Sequence, residues 1–179
     1  MYREVVPFSQ RIGVKMKQGT RAATVLAAVV LSVGASFATA QAPASEPFIK
    51  RHIYSETSDP RADIAAAFKQ ARREHKRVLL DFGGDWCGDC HILDMNFHDA
   101  QNQPLLDKHF VLVHVFVGHL DRNADIAARY EVPIEHGVPA LAVLDASGKV
   151  LFSQRTGNFR QMHTMDSAAV NEFLNHWKG

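Results

Sequence analysis

Residues 78–84, VLLDFGG, stand two residues ahead of the only two cysteines in the chain, and that juxtaposition constrains the fold more than any other feature. Val78 to Phe82 is a short apolar run holding one acid, Asp81, and it reads as a buried strand. Gly83-Gly84 breaks the run. Cys87-Gly88-Asp89-Cys90 then opens what reads as a helix through Ile92, Leu93, Met95 and Asn96. A buried strand that turns at once into a helix needs a sheet layer with a helix layer packed on it, so the chain is α/β.

The rest of the chain supplies those layers. Ser58-Asp59-Pro60 is a helix start, with a capping side chain and then proline in the first turn. Ile64, Ala67, Phe68 and Ala71 follow at helical spacing, and Arg72, Arg73, Lys76 and Arg77 crowd the end, where they complement the helix dipole. A short helix is expected over Pro104 to His109, a second buried strand over Val111 to Val117, and a helix over Asn123 to Tyr130. Ala140 to Leu144 and Lys149 to Ser153 read as strands joined by an Asp145-Ala146-Ser147-Gly148 turn. Asp166 to Trp177 closes the chain as an amphipathic helix, and Phe48 to Ser55 is expected as a short edge strand. The order predicts a mixed central sheet of about four strands with helices on both faces: parallel pairing across the helical crossover, antiparallel pairing in the hairpin.

The first 40 residues do not belong to that domain. Lys17 and Arg21 precede the apolar run Ala22 to Ala38, which ends in Ala38-Thr39-Ala40. That is the order of a secretory signal. The run has 17 residues, with Thr24, Ser32, Gly34 and Ser36 inside, whereas a spanning helix needs about 20. The expectation is a cleaved signal peptide over 1–40 with a possible true start at Met16, a linker or N-terminal extension over 41–57, and one domain over 58–179. A retained N-terminal membrane anchor is the alternative. The leader holds five of the 20 basic residues and one of the 19 acidic ones, leaving 15 against 18 and a net charge of −3 for the exported part. Such a domain has no basic patch for nucleic acid. An exported, periplasmic domain also meets oxidising conditions, where a lone cysteine pair has a redox state to be set.

C-x-x-C serves three chemistries. As a dithiol at a helix start, the amides stabilise the thiolate of Cys87, the attacking sulfur, and the turn brings Cys90 within bridging distance to resolve a mixed disulfide. Asp81 fits this reading. A carboxylate inside a buried strand is costly unless it has a task, burial disfavours the charged form of such a group, and the acid lies under the helix start, where it could exchange a proton with Cys90. Turned outward at a strand edge it would have no such task. A buried Cys87 would instead suit a structural disulfide. Cys87-Gly88-Asp89-Cys90-His91 is also formally a c-type haem attachment sequence, with His91 and Met95, Met162 or Met165 as axial ligands. Otherwise His91 is an exposed residue of the first helical turn. The third reading is copper or zinc binding by the cysteines with histidines such as His91, His98, His114, His119 or His136, although no second C-x-x-C or H-x-x-x-H completes a site. No triad or paired-carboxylate spacing suggests a hydrolase, and Asp94, Asp99 and Asp107 are expected on solvated helix faces.

The wider pattern resembles the thioredoxin family. Trp86-Cys87-Gly88-Asp89-Cys90 is similar to its W-C-G-P-C signature, Asp81 stands six residues before the first cysteine like the family's buried acid, and Gly137-Val138-Pro139-Ala140 resembles its cis-proline loop. The resemblance covers Val78 to Trp177, with Ser58 to Arg77 as the family's first helix. It implies a thioredoxin-like fold and a thiol–disulfide oxidoreductase that needs no cofactor beyond the redox-active Cys87–Cys90 disulfide. Trp86, Val138 and Pro139 would shape the substrate surface. Disulfide-containing proteins would be the substrates, and an unidentified membrane-bound thiol donor the electron source.

Four departures set the chain apart. Asp89 replaces the proline between the cysteines. The second strand lacks the usual lysine near the buried acid, a gap that His114 or His119 could fill. Two extra residues lie between Tyr130 and Gly137, and the helix after Cys90 lacks a kinking proline. Asp85 and Asp89 put negative charge near the reactive sulfur, which predicts a reductase or isomerase potential and not that of a disulfide donor.

Overall fold

The structure, a computed structural model, describes residues 51–179. The expected leader over 1–40 and the stretch 41–50 lie outside the described residues. Within them, no helix is long and apolar enough to cross a membrane.

Helix α1 spans Pro60–Glu74. The Asp59 side chain accepts from the Arg61 amide at 2.9 Å and proline fills the first turn, so the helix starts where an unbonded amide costs least. His75, at φ 55°, ends it in the left-handed conformation. Strand β1 (Arg77–Gly83) leads into α2 (Gly88–Phe97), α3 (Gln103–His109) and β2 (Phe110–Phe116). Then come α4 (Ala124–Arg129), β3 (Ala140–Leu144), β4 (Val150–Ser153) and α5 (Ser167–Trp177). Two 3₁₀ segments, Ile134–His136 and Asn158–Thr164, fall where the apolar pattern assigns no element.

The sheet order is β2-β1-β3-β4. β1 runs parallel to β2 and antiparallel to β3, and β3 forms the antiparallel hairpin with β4. This is the expected mixed sheet of four strands. Alternation along β1 divides its side chains between two layers. Val78, Leu80 and Phe82 pack with Ile64, Ala67 and Ala71 of α1 and with Ile126 and Ala127 of α4. Leu79, Leu141 and Val143 pack with Leu93 and Phe97 of α2, Leu106 of α3, and Val170 and Leu174 of α5. Asp81, two residues beyond Leu79, therefore lies on the α2 side. It is paired in register with His114 of β2 and is completely buried.

Three expectations are corrected. No strand forms over 51–55, because the amides of Ile53 and Tyr54 are bonded to the Asp85 carboxylate at 2.9 and 3.1 Å and not to a sheet ladder. Tyr54 is instead a core residue, 2% exposed. His91 is buried, with Nε2 2.9 Å from the Asp85 carbonyl oxygen, so it is not an exposed first-turn residue. Asp94 is buried as well, 3.2 Å from His98 Nδ1 and 3.9 Å from Arg51, while Asp107 keeps the solvated position expected of it.

Candidate active site

Cys87 is the N-cap of α2, extended at φ −89° and ψ 111°, and its sulfur accepts from the Cys90 amide at 3.2 Å. The two sulfurs are joined in a disulfide with Cα atoms 5.3 Å apart, inside the usual bridging range. In the reduced pair the same amide and the helix dipole favour negative charge on Cys87. Cys87 is buried at 7% exposure, the condition named above for a structural disulfide, and Cys90 has no exposure, so what accessible surface the pair has belongs to the first cysteine.

The Val138–Pro139 peptide bond is cis, and the Val138 carbonyl oxygen lies 3.5 Å from Cys87 Sγ. Gln154, buried at 2% exposure just past β4, clamps this loop. Its Nε2 donates to the Pro139 carbonyl at 3.2 Å and its Oε1 accepts from the Leu141 amide at 3.3 Å. Gln154→Leu keeps the bulk and strands both backbone groups. A loss of about 1–3 kcal/mol in urea unfolding is expected, and an unchanged midpoint would show that the loop is held by other contacts.

Beneath the disulfide lies a polar cluster in an otherwise apolar layer. Asp81 Oδ2 accepts from the Tyr54 hydroxyl at 2.7 Å and from His114 Nδ1 at 3.0 Å. An ionised carboxylate can only accept, so toward ionised Asp81 the donor is His114 Nδ1. Burial pulls the His114 imidazolium down, but the hydrogen bond and charge of Asp81 outweigh it and hold His114 above the ordinary histidine value. Burial, then the charge and hydrogen bond of Asp81, hold the Tyr54 phenol well above its ordinary value, so it stays an O–H donor. Of the two histidines named for the missing lysine, His114 is the one bonded to the buried acid.

Tyr54 and Gln154 were invisible to sequence reasoning. Gly83 explains how Tyr54 fits. A side-chain carbon at that position would lie 2.5 Å from the Tyr54 hydroxyl and 2.8 Å from Cys90 Sγ, so hydroxyl and sulfur are neighbours across one absent methyl group. Asp85 fixes the tyrosine's backbone. Burial opposes its charge, but the amides of Ile53 and Tyr54 and the His52 ring at 3.0 Å hold its carboxyl below the ordinary value.

Trp86 is 44% exposed, stacks on His119 with ring centroids 5.2 Å apart, and donates from Nε1 to the Gly118 carbonyl at 2.6 Å. It is a surface platform, not a core aromatic. Gly88 opens α2, and Asp89 beside it accepts from both the amide and Nδ1 of His163 at 2.8 Å. The histidines do not converge on the sulfurs: His98 bonds the Asp94 carbonyl, and His136 the Arg155 carbonyl. Among the described residues no cluster of three or more His, Cys, Asp or Glu side chains is set to hold a metal.

The family profile described as thioredoxin-like matches residues 59–146. A crystal structure of a disulphide isomerase from Xylella fastidiosa is 32% identical and superposes with a TM-score of 0.67, covering 70% of this chain and 96% of that one. The thiol:disulfide interchange protein DsbD of Photorhabdus laumondii is 28% identical over 106 residues, 59% of this chain but 17% of its own length. The DsbD of Pseudomonas fluorescens is matched over 18% of its length, so the chain spans less than a fifth of these relatives. The thioredoxin of Mycoplasma genitalium is 33% identical over 70 residues, 39% of this chain and 60% of that protein. A four-stranded mixed sheet, a disulfide at the start of α2 and a relative matched over nearly its whole length agree: the chain belongs to the thioredoxin-like family.

Proposed function

We propose that this chain is an exported thiol–disulfide oxidoreductase that works as a reductase or isomerase and not as a disulfide donor. The observation that carries the reading is the sulfur pair at the start of α2, with the Cys90 amide on Cys87 Sγ and the Val138 carbonyl opposite. Cys87 attacks a substrate disulfide, and Cys90 resolves the mixed disulfide, giving its proton to Asp81. Trp86, Val138 and Pro139 receive the substrate backbone beside the reactive sulfur. The pair itself carries the two electrons. Folded or misfolded disulfide-containing proteins are the substrates, and a membrane-bound thiol donor restores the dithiol. The interchange activity named for the relatives and their thioredoxin-like fold support this assignment.

The direction rests on charge. Asp89 occupies the first turn of α2, where its negative charge opposes that of the Cys87 thiolate at the same helix end. Its bonds to His163 temper that effect without removing it. The equilibrium reduction potential, read by thiol trapping in a graded dithiol buffer, is expected below about −200 mV. A potential near about −120 mV would belong to a disulfide donor and overturn the direction. Asp89→Asn is expected to raise the potential by about 10–30 mV, and an unchanged value would remove the charge argument. A pair that never reduces across the series would be a structural disulfide.

A further inference from the structure

Asp81 uses its two oxygens unequally. Oδ2 takes both the Tyr54 hydroxyl and His114 Nδ1, while Oδ1 is buried without a partner among the described residues. A buried acceptor left open is uncommon, and the Tyr54 hydroxyl bonded to this same carboxylate is the neighbour of Cys90 Sγ across Gly83. A solitary buried carboxylate that gained and lost a proton would change the charge of the interior each time, which low dielectric opposes. It would also need a route to water, and Asp81 has no exposure at all. His114 meets both needs. Its side chain is 22% exposed, against 0% for that of Asp81, and Tyr54 as a whole residue is 2% exposed.

We propose that Tyr54 and His114 are positioning residues for the resolving step, forming with Asp81 a unit that takes the Cys90 proton at Oδ1 and gives one to solvent from His114 with no change in net charge. The inference rests on the oxidoreductase reading above. In the mixed disulfide, Cys87 is bonded to a substrate sulfur. Cys90 loses its proton to Asp81 Oδ1 and its thiolate attacks Cys87 Sγ. The Cys87–Cys90 bond forms and the bond from Cys87 to substrate breaks. The bonding pair leaves on the substrate sulfur, which takes a proton from water. Two electrons have then passed from the cysteine pair to the substrate disulfide.

Once Asp81 is neutral, the charge that held the His114 proton is gone. The imidazolium releases its Nε2 proton to water and keeps Nδ1–H on Oδ2. The pair is Asp⁻/His⁺ before and neutral/neutral after. Tyr54 keeps its own proton throughout and holds the carboxyl beside Cys90. The groups around His114 support this assignment. Tyr54 meets it edge-on at 5.3 Å, the more distant Asp94 and Asp85 are each bonded to other groups, and among the described residues the ion pair of Asp81 is with His114.

The test is stopped-flow oxidation of the reduced full chain by a disulfide-bonded peptide, with the mixed disulfide quantified by acid quench and mass spectrometry from about pH 5 to pH 9. In His114→Gln the mixed disulfide is expected to form at the normal rate and to persist about tenfold longer, with the acid limb of resolution moved to higher pH. Tyr54→Phe is expected to act in the same direction, by about threefold or more. His114→Lys restores a cation on Asp81 and is expected to return both lifetime and profile toward the original. Normal lifetimes in His114→Gln and Tyr54→Phe would overturn the inference. So would slow resolution with an unmoved pH profile and no rescue by lysine, since that marks packing alone. If no mixed disulfide forms even in Cys90→Ser, the oxidoreductase reading itself has failed, a result distinct from the other two.

Discussion

Cys90→Ser is expected to halt the protein after half a reaction, with the substrate left covalently attached to Cys87. The geometry distinguishes the two sulfurs. Cys87 caps α2, holds the small accessible surface of the pair and accepts the Cys90 amide, whereas Cys90 is wholly buried beside Tyr54. An incoming disulfide therefore meets Cys87 first. Serine at position 90 keeps the size and the amide donor but cannot displace the substrate sulfur. Turnover of a disulfide-bonded peptide should fall by more than about 1,000-fold, as expected when one member of a unit that acts together is removed. Intact-mass spectrometry should show the peptide added to the chain. Cys87→Ser should lose turnover to the same degree without any adduct. An adduct on Cys87→Ser, or residual turnover there, would reverse the roles of the two sulfurs.

The legible part of this molecule was its local chemistry. Apolar runs bounded by glycine and proline located β1, β2 and the hairpin, because strand burial and turn geometry leave their mark on adjacent residues. The cysteine spacing and Asp81 were legible for the same reason, whereas Val138-Pro139 stood out only through its resemblance to the family's cis-proline loop. Tyr54 was not. It sits in a polar stretch, RHIYSETSD, and becomes a core residue through partners about thirty positions away: Asp85 on its amide and Asp81 on its hydroxyl. No periodicity encodes such a contact. Asp85 misled for a related reason, since its carboxylate serves as a clamp on residues 52–54, beyond its expected part as a charge beside the sulfur. His114 lay between the two cases. Its presence on the second strand was visible, and the parallel register that pairs it with Asp81 gave it its place.

Gly83→Ala is expected to be a severely damaging single-methyl change. The position carries no left-handed backbone, so what it requires is space. The added carbon would stand 2.5 Å from the Tyr54 hydroxyl oxygen, 2.6 Å from its Cζ and 2.8 Å from Cys90 Sγ, all closer than real side-chain contacts. None of these atoms is a free end that can swing away. Tyr54 is held by Asp81 at its tip and by Asp85 at its backbone, and Cys90 is held by the disulfide. Either the tyrosine leaves its place or the start of α2 moves. Overpacking costs about 1–3 kcal/mol, and the stranded Tyr54–Asp81 hydrogen bond adds about 1–3 kcal/mol more, because the carboxylate oxygen stays buried. Urea unfolding should show the loss directly. A double-mutant cycle identifies its source: Tyr54→Ala should itself destabilise by about 3–5 kcal/mol by emptying a buried aromatic site, and adding Gly83→Ala to it should then cost far less than in the wild type. Strictly additive losses would mean that the clash falls on Cys90 and the helix start. The reduction potential, and not stability alone, would then carry the effect.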